Sequence, residues 1–287
     1  MLIVELLLLK EMMDMRIHQI KIDFNVTADV KRYVYVYILE GKNLYMIDTG
    51  VAGSQTQIVQ YIKKIGRDET DIKSIFLTHA HPDHIGSAAW FKENIECEIY
   101  AGEKECAWIE NIDLQYKERP IPNFYQLAGA SVTVDHRLKD NDIIVLEDDH
   151  ILYAIETPGH SLGEISYIFG DAFFIGDSIP VKGDIPIYVD KNKILESLDK
   201  IKSMKNGIKY FYPAWDKTYP TENIEKVIKD AEEIVNEIDQ AAIIALQENN
   251  DAETTIKRIC QILNKPMLDR HLLFIKTVCA HILSEKI

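Results

Sequence analysis

The sequence predicts an α/β fold (α/β or α+β) followed by a helical region at the C-terminal end. Alternating and apolar runs typical of strands recur between residues 17 and 212, separated by runs with helical spacing. After Pro220, apolar residues repeat at helical spacing almost to the end of the chain. Histidines and an aspartate cluster at 78–86, between a strand-like run and a helix-like run. We therefore expect a site at one strand end of an α/β domain.

The first half of the chain alternates strand and helix patterns. Strands are predicted near residues 18–23, 33–39, 44–47, 72–77 and 97–100, and residues 40–43 have the composition of a hairpin turn. Helices are predicted at residues 54–65, from residue 88 onward and at residues 103–111. Residues 112–130 interrupt this pattern with aromatic, basic and proline residues, so we expect a loop that connects two elements.

The second half is richer in strands and then becomes helical. Strands are predicted near residues 131–136, 142–147, 151–156, 164–169, 172–176 and 208–212, with an amphipathic helix at residues 191–204. Residues 221–287 are predicted to be a small helical appendage, with its later helices near 251–264 and 268–285. This appendage can pack on the α/β domain, cover the site or form a homodimer contact. His271 and His281 are expected to be ordinary helix residues rather than metal ligands.

The composition fits a globular protein with an acidic surface. The chain has 287 residues, a length that suits one large domain with a small appendage. Hydrophobic residues make up 47% of it, and the formal net charge is -14. Its acidic balance disfavours nonspecific binding to nucleic acid or anionic membrane, so neither is a predicted partner. The four cysteines contain no C-x-x-C pair, which favours a reduced, cytoplasmic setting.

The first 16 residues are predicted to be an extension that precedes the α/β domain. Residues 2–9 are apolar, but they are too few to cross a bilayer and lack the basic start and cleavage site of a signal peptide. We expect Met15 to be the natural start of the chain, and the alternative is a helix that packs on a neighbour.

The histidine-rich turn carries the candidate metal ligands. His79 and His81 are two residues apart in an extended turn, so both side chains can face one ion. Asp83 and His84 follow the bend at Pro82 and can face a second ion. Imidazoles and carboxylates at this density favour zinc, with iron or manganese as alternatives, over calcium or magnesium.

These motifs resemble a known family. The sequence His79-x-His81-x-Asp83-His84 resembles the signature of the metallo-β-lactamase-fold hydrolases. Residues 48–50, 157–161 and 174–178 resemble that family's first, third and fourth motifs. The resemblance extends from about residue 17 to residue 218 and implies a catalytic domain at 17–218 with a four-layer αββα sandwich, the appendage being 221–287. It also implies that residues 112–130 cover the site and shape the substrate pocket, with a packed connector as the alternative.

The resemblance and the residues together predict a binuclear site with one or two divalent ions. The ligands predicted for the first metal are His79, His81 and His160, and those for the second are Asp83, His84 and Asp177. The resemblance implies that Asp177 bridges the two ions. Asp48 ends an apolar strand, and we expect it either to orient a ligand histidine or to be a satisfied buried polar group.

Such a site predicts hydrolysis of a small-molecule substrate. Bound metal lowers the pKa of water to about 7 and so supplies hydroxide to an electrophile. Asp83 is the predicted catalytic residue, which carries a proton between the nucleophile and the leaving group. The overall motif pattern is most similar to the glyoxalase-II-like branch of the family, which hydrolyses thioesters. A thioester, ester or lactone is therefore the predicted substrate class.

One position departs from the family pattern. The family usually has a glycine-histidine pair where Ala214 and Trp215 stand, and an indole cannot replace that metal-ligand histidine. Asp216 or water is the expected substitute ligand, and Trp215 is expected to wall the substrate pocket. The departure keeps open a metal-binding or regulatory module with a degenerate second site.

Two other classes of the same fold are alternatives. A di-iron redox protein usually carries an acidic residue where His81 stands, and the helical tail is not a flavin domain. A nuclease is disfavoured by the acidic charge and by the lack of a basic arm.

Overall fold

The structure is a computed structural model that describes residues 15–248 and 251–284. The chain divides into two compact units, the first ending at Ala154 and the second beginning at Ile155. Residues 1–14, which make up nearly all of the predicted N-terminal extension, lie outside the described residues. The predicted limits at 17–218 and 221–287 divide the chain differently and remain a prediction.

The first unit contains a six-stranded mixed sheet. Its strands follow one another in the order β1-β2-β3-β4-β5-β6. They are β1 (Arg16–Thr27), β2 (Val30–Glu40), β3 (Leu44–Ile47), β4 (Ile72–Leu77), β5 (Glu98–Gly102) and β6 (His136–Leu138). The first three pair antiparallel, and the pairs from β3 to β6 are parallel. The central strands are buried along nearly their whole length, as parallel strands covered on both faces are.

Short helices connect the parallel strands of the first unit. They are α1 (Gln55–Lys64), α2 (Pro82–Ile85), α3 (Ala88–Asn94), α4 (Cys106–Ile109), α5 (Ile112–Glu118) and α6 (Phe124–Ala128). In α1 the apolar face predicted from the sequence is buried through Ile58 and Ile62. The unit ends with the hairpin of β7 (Ile143–Val145) and β8 (Ile151–Glu156), whose last two residues belong to the second unit.

Residues 112–130 differ from the predicted loop, because α5 and α6 lie within them. The side chain of Asn111 caps α5 by accepting a hydrogen bond from the Leu114 amide, and Pro120 follows the helix end. Both helices have seven residues or fewer, so their stability comes from packing rather than from intrinsic propensity. The strand predicted at 131–136 is displaced, since β6 begins only at His136.

The second unit contains strands and the helical region. Its strands lie in the order β12-β11-β10-β9. These are β9 (Ile165–Phe169), β10 (Ala172–Gly176), β11 (Tyr210–Pro213) and β12 (Tyr219–Pro220), with β10 and β11 parallel. Helix α7 (Lys191–Ser203) buries Leu198 and Ile201 in one core with Phe173 and Phe211 of these strands.

The predicted C-terminal helices are present. They are α8 (Thr221–Glu248), α9 (Ala252–Ile262) and α10 (Leu272–Ser284). The side chain of Asp251 caps α9 by accepting a hydrogen bond from the Thr254 amide. A second core of this unit joins residues of all three helices to Tyr188 and Ile194. Within residues 15–248 and 251–284, no helix is both long enough and apolar enough to span a membrane.

Candidate metal centre

The first group of candidate residues lies at one edge of the first sheet. Strands β3 and β4 are parallel neighbours, and Asp48 and His79 each follow one of them within two residues. Because parallel strands end at the same edge, the two motifs meet there. The amide of Asp48 donates to the carbonyl of Phe76 at 3.0 Å, and the amide of Thr49 donates to the carbonyl of His84 at 2.8 Å.

Asp48 holds the ring of His84. The Asp48 backbone is left-handed, with φ of 61°, and its side chain is 2% exposed. Its Oδ2 lies 2.8 Å from His84 Nδ1, and its Oδ1 accepts a hydrogen bond from the Thr78 amide at 2.8 Å. A carboxylate only accepts hydrogen bonds, so Nδ1 carries the ring hydrogen. That tautomer leaves the lone pair on Nε2, which is the atom a metal would use.

His79 and His81 present ring nitrogens to one another. His79 Nε2 and His81 Nδ1 are 2.9 Å apart, and both rings are buried. Two nitrogens on a tetrahedral zinc ion, each bonded at about 2.0–2.1 Å, are about 3.3 Å apart. The pair therefore needs only a small ring rotation to chelate one ion.

Asp83 and His84 lie on the same short helix, which begins at Pro82. His84 Nε2 and Asp83 Oδ2 are 3.9 Å apart. The Asp83 side chain is 18% exposed, whereas that of His84 is fully buried. One ion can therefore contact both groups while Asp83 also reaches solvent.

Two buried side chains hold the peptide between His79 and His81. The amide of Ala80 donates to Glu105 Oε2 at 2.9 Å, and the carbonyl of Ala80 accepts from Gln115 Nε2 at 2.6 Å. Glu105 is 3% exposed and Gln115 is fully buried. Both lie in a region read from the sequence only as helix and loop, and no periodic pattern or motif marks either one.

Gly86, at the end of the histidine-rich turn, lies very close to the backbone of two other segments. A Cβ at this position would lie 2.2 Å from the Ala52 nitrogen and 2.3 Å from the Leu127 oxygen. The Gly86 amide donates to the carbonyl of Gly50 at 2.8 Å. Only glycine fits between these backbones, so Gly86 holds the histidine-rich turn against residues 50–52.

The second group of candidate residues lies in the second unit. His160 Nε2 and Asp177 Oδ2 are 3.4 Å apart, and the two side chains are 7% and 9% exposed. His160 Nδ1 lies 2.7 Å from the carbonyl oxygen of Ile187, which only accepts, so Nδ1 donates and Nε2 keeps its lone pair. The Asp177 amide donates to Glu164 Oε1 at 2.7 Å.

Trp215 and Asp216 follow the strand next to that of Asp177. Strands β10 and β11 are parallel, with Gly176 opposite Pro213, so the residues after them lie at the same edge of the sheet. The carboxylate of Asp216 accepts a hydrogen bond from the Tyr219 hydroxyl at 2.6 Å. Trp215 is half-buried. This bond involves Oδ2 and leaves Oδ1 of the carboxylate to act as a donor atom, so the ligand role of Asp216 stays a prediction.

The donor sets fit a transition metal. In both units a histidine ring donates through Nδ1 to a protein oxygen, Asp48 for His84 and the Ile187 carbonyl for His160. Ligand histidines are typically oriented in this way, because the second bond fixes the tautomer and raises the basicity of the ligand nitrogen. Imidazole and carboxylate donors favour zinc, iron or manganese over calcium.

Known proteins of similar sequence cover part of the chain. A probable metallo-hydrolase of Methanocaldococcus jannaschii is 27% identical over 169 residues, covering 57% of this chain and 68% of that protein. A hydroxyacylglutathione hydrolase of Nitrobacter hamburgensis is 26% identical over 159 residues, covering 52% of this chain and 51% of that protein. The chain thus spans about half the length of the Nitrobacter enzyme.

Solved structures and a family model extend the comparison. A metallo-beta-lactamase family protein from Thermus thermophilus superimposes with a TM-score of 0.69 and 16% identity, covering 94% of this chain and 93% of that one. At this identity the likeness shows the fold, which is the metallo-β-lactamase fold. The model described as "Metallo-beta-lactamase superfamily" matches residues 29–212, more than half of the sequence. The chain therefore belongs to the metallo-beta-lactamase superfamily.

Proposed function

We propose that this protein is a metal-dependent hydrolase of a small thioester, ester or lactone. The observation that carries the proposal is the turn from His79 to His84, where four donor side chains lie together and Asp48 fixes the tautomer of one of them. Family membership supports hydrolysis, since similar proteins include metallo-hydrolases and hydroxyacylglutathione hydrolases. Zinc is the proposed metal, with iron or manganese as alternatives.

We assign the ligands to two ions, as the motifs predict. The proposed first ion is held by His79, His81 and His160. The proposed second ion is held by Asp83, His84 and Asp177, with Asp177 shared between the ions. Support comes from the 2.9 Å separation of the His79 and His81 nitrogens and the 3.4 Å separation of His160 and Asp177.

The protein groups have separate roles in the proposed reaction. When bound, the metals supply Lewis acidity, which lowers the pKa of water and polarises a carbonyl. Asp83 is partly exposed and is proposed to carry a proton from the attacking water to the leaving group. Asp48 orients His84, and Glu105 with Gln115 fixes the peptide that carries His79 and His81. Preorganised ligands of this kind raise metal affinity.

The thioester class is favoured by the sequence relatives. The Nitrobacter enzyme is named for the hydrolysis of a hydroxyacylglutathione, and the motif pattern resembles the glyoxalase-II-like branch. Trp215 gives this chain an aromatic side chain where the family usually has a ligand histidine, and it is proposed to contact an apolar or planar part of the substrate.

A second candidate function rests on that same position. With Trp215 in place of a histidine and without a ligand from Asp216, the second ion would have three protein ligands. A metal-binding or regulatory module with a weak second site is therefore the alternative. A di-iron redox role is disfavoured by His81, because redox proteins of this fold usually have an acidic residue there.

The proposed setting is cytoplasmic with a small-molecule substrate. Four cysteines are unpaired and three of them are buried, which fits a reduced compartment. The net charge of -14 argues against a nucleic-acid substrate.

Metal analysis and a substrate panel test the proposal. Protein purified without added metal should contain zinc, iron or manganese, and it should hydrolyse at least one activated thioester, ester or lactone. Chelation should stop this turnover, and adding back the lost metal should restore it. Substitution of His79, His81 or His160 by alanine should remove most of the metal and the activity. Full metal content in two of these three variants would overturn the ligand assignment.

Asp83→Asn tests whether the protein is a hydrolase, because Asp83 is both the proposed proton carrier and a proposed ligand of the second ion. This variant should stay folded and lose at least about 100-fold in turnover, as removal of a general acid-base group does. Asp135→Asn is the matched control, since Asp135 is a partly buried carboxylate that pairs with Lys92 at 2.7 Å outside the site. Metal-loaded protein with no metal-dependent hydrolysis on any substrate class would favour the binding module instead.

A further inference from the structure

The C-terminal helices contact the segment that holds His160. That segment is residues 186–190, which we call the support segment. The carbonyl of Ile187 accepts the hydrogen bond from His160 Nδ1 at 2.7 Å. The amide of Val189 donates to the carbonyl of Gly159 at 2.7 Å. The support segment therefore contacts both the ring of His160 and the backbone just before it.

Thr277 of α10 forms hydrogen bonds with the backbone of the support segment. Its Oγ1 accepts a hydrogen bond from the Tyr188 amide at 3.1 Å. The same oxygen lies 3.1 Å from the carbonyl oxygens of Pro186 and Tyr188 and can donate its hydrogen to one of them. Thr277 is fully buried, so these bonds are not exchanged for water. They fix the backbone on either side of the Ile187 carbonyl.

His281 of α10 holds the side chain of Tyr188, which lies in the support segment. Its Nε2 lies 2.7 Å from the Tyr188 hydroxyl and its Nδ1 lies 2.9 Å from Asp239 Oδ1 on α8. Because the carboxylate only accepts, Nδ1 donates to Asp239 and Nε2 accepts from Tyr188. Lys191 Nζ lies 2.7 Å from the same carboxylate oxygen and balances its charge. Tyr188 and His281 are both fully buried, and burial raises the pKa of the Tyr188 hydroxyl, which stays protonated and donates.

This network is more specific than packing requires. A helical region that only covered apolar surface would need no buried tyrosine, histidine and threonine where it contacts one short segment, since each buried polar group costs free energy unless it is bonded. Here the groups satisfy one another, and the chain of contacts ends at the Ile187 carbonyl. Fully satisfied buried networks specify one conformation.

We propose that the C-terminal helices position the metal-ligand candidate His160 through the support segment, with Thr277, Tyr188 and His281 as positioning residues. This inference rests on the proposed metal-binding role of His160. It gives the helical region a function in the site: α8 and α10 fix the Ile187 carbonyl, which fixes the His160 ring and leaves Nε2 as the donor atom.

Thr277→Val and Thr255→Val form a matched pair for the test. Both remove a buried hydroxyl from a C-terminal helix, but the Thr255 hydroxyl donates only to the carbonyl of Asp251, one turn earlier in the chain. Zinc dissociation constants are measured on the full chain by competition with a chromogenic chelator. Thr277→Val should weaken the tightest zinc site about tenfold, in the range found for groups that orient ligands. Thr255→Val should change it less than twofold.

Two further variants keep the test decisive. Thr277→Ser retains the hydroxyl and should restore zinc affinity to within twofold of the wild type, which a loss of packing alone would not do. Tyr188→Phe removes only the hydroxyl that bonds His281, and it should weaken zinc binding about threefold to tenfold. This variant carries the test if Thr277→Val does not fold. Melting temperatures of the metal-free proteins identify general destabilisation.

The outcomes separate this inference from the proposed function. Zinc affinity lost in His160→Ala but unchanged in both Thr277→Val and Tyr188→Phe would overturn the role of the C-terminal helices and leave the metal site standing. Equal weakening by Thr255→Val and Thr277→Val would also overturn it, because the effect would then be general. Wild-type protein that binds no metal would instead refute the proposed function.

Discussion

Replacement of Gln115 by methionine tests how the His79-Ala80-His81 peptide is held. The variant loses the hydrogen bond from Gln115 Nε2 to the Ala80 carbonyl, which is 2.6 Å long and buried. Methionine has a similar length and volume and keeps the apolar contacts of α5. The change therefore removes one directional contact and little else.

The effect on global stability should be small. Loss of the bond costs about 1 kcal/mol, and the stranded Ala80 carbonyl adds about 1–3 kcal/mol. Against this, Gln115 Oε1 has no hydrogen-bond partner among the residues that the structure describes, so its removal regains about 1–3 kcal/mol. We expect the unfolding free energy of the metal-free protein to change by less than about 2 kcal/mol.

The effect on the metal should be larger than that on the fold. A peptide no longer fixed between the two histidines lets their rings move apart, and such losses weaken metal binding on the order of 10-fold, or about 1.4 kcal/mol. The assay is chelator competition for zinc together with urea unfolding of the metal-free protein.

Gln19→Met is the control, since Gln19 donates to the Tyr37 hydroxyl at 3.2 Å on the exposed side of β1. It should leave both quantities unchanged. If Gln115→Met binds zinc as the wild type does while losing several kcal/mol of stability, Gln115 is a core residue and our argument about the peptide is wrong.

Three further predictions concern other parts of the chain. Gly86→Ala should destabilise the protein by about 3 kcal/mol or prevent folding, because its Cβ would overlap the backbone of Ala52; thermal unfolding measures this. Trp215→His should raise zinc occupancy of the weaker site, and Asp216→Ala should lower it if Asp216 is a ligand; equal tight filling of two sites in the wild type, unaffected by Asp216→Ala, would contradict both. Burial would raise the pKa of Asp239, but hydrogen bonds from Lys191 and His281 hold it below its usual range. Its contribution to stability is therefore complete above about pH 4 and lost as pH falls further, so urea unfolding between about pH 5 and 3 should show wild type losing stability faster than Asp239→Asn.

The sequence predicted that the histidines of the turn lie close together, and it predicted most of the strands and long helices. His79, His81 and His84 are close in the chain, so their meeting in space needed only a strand end and a turn. The helices α1 and α7 have clear apolar periods, and their predicted limits are close to the observed ones. Local pattern is sufficient for such elements.

The groups that support the site were not predictable in the same way. Gln115 contacts Ala80 from 35 residues away, and His281 contacts Tyr188 from 93 residues away. Neither residue lies in a motif, so its contact could not be inferred from the sequence and is seen only in the folded structure. The short helices α5 and α6 were missed for a related reason, since tertiary packing rather than propensity stabilises them.

The left-handed backbone of Asp48 restricts which amino acids can replace it. Only glycine, asparagine and aspartate adopt this conformation at low cost, so any other side chain at this position would strain the backbone whatever its chemistry. Glycine would leave the His84 ring without its acceptor. Asparagine fits the backbone, but its amide group can donate to Nδ1 and so favour the tautomer with hydrogen on Nε2, the nitrogen that we propose as the metal donor. Backbone geometry and proton placement together leave aspartate as the one side chain that meets both demands.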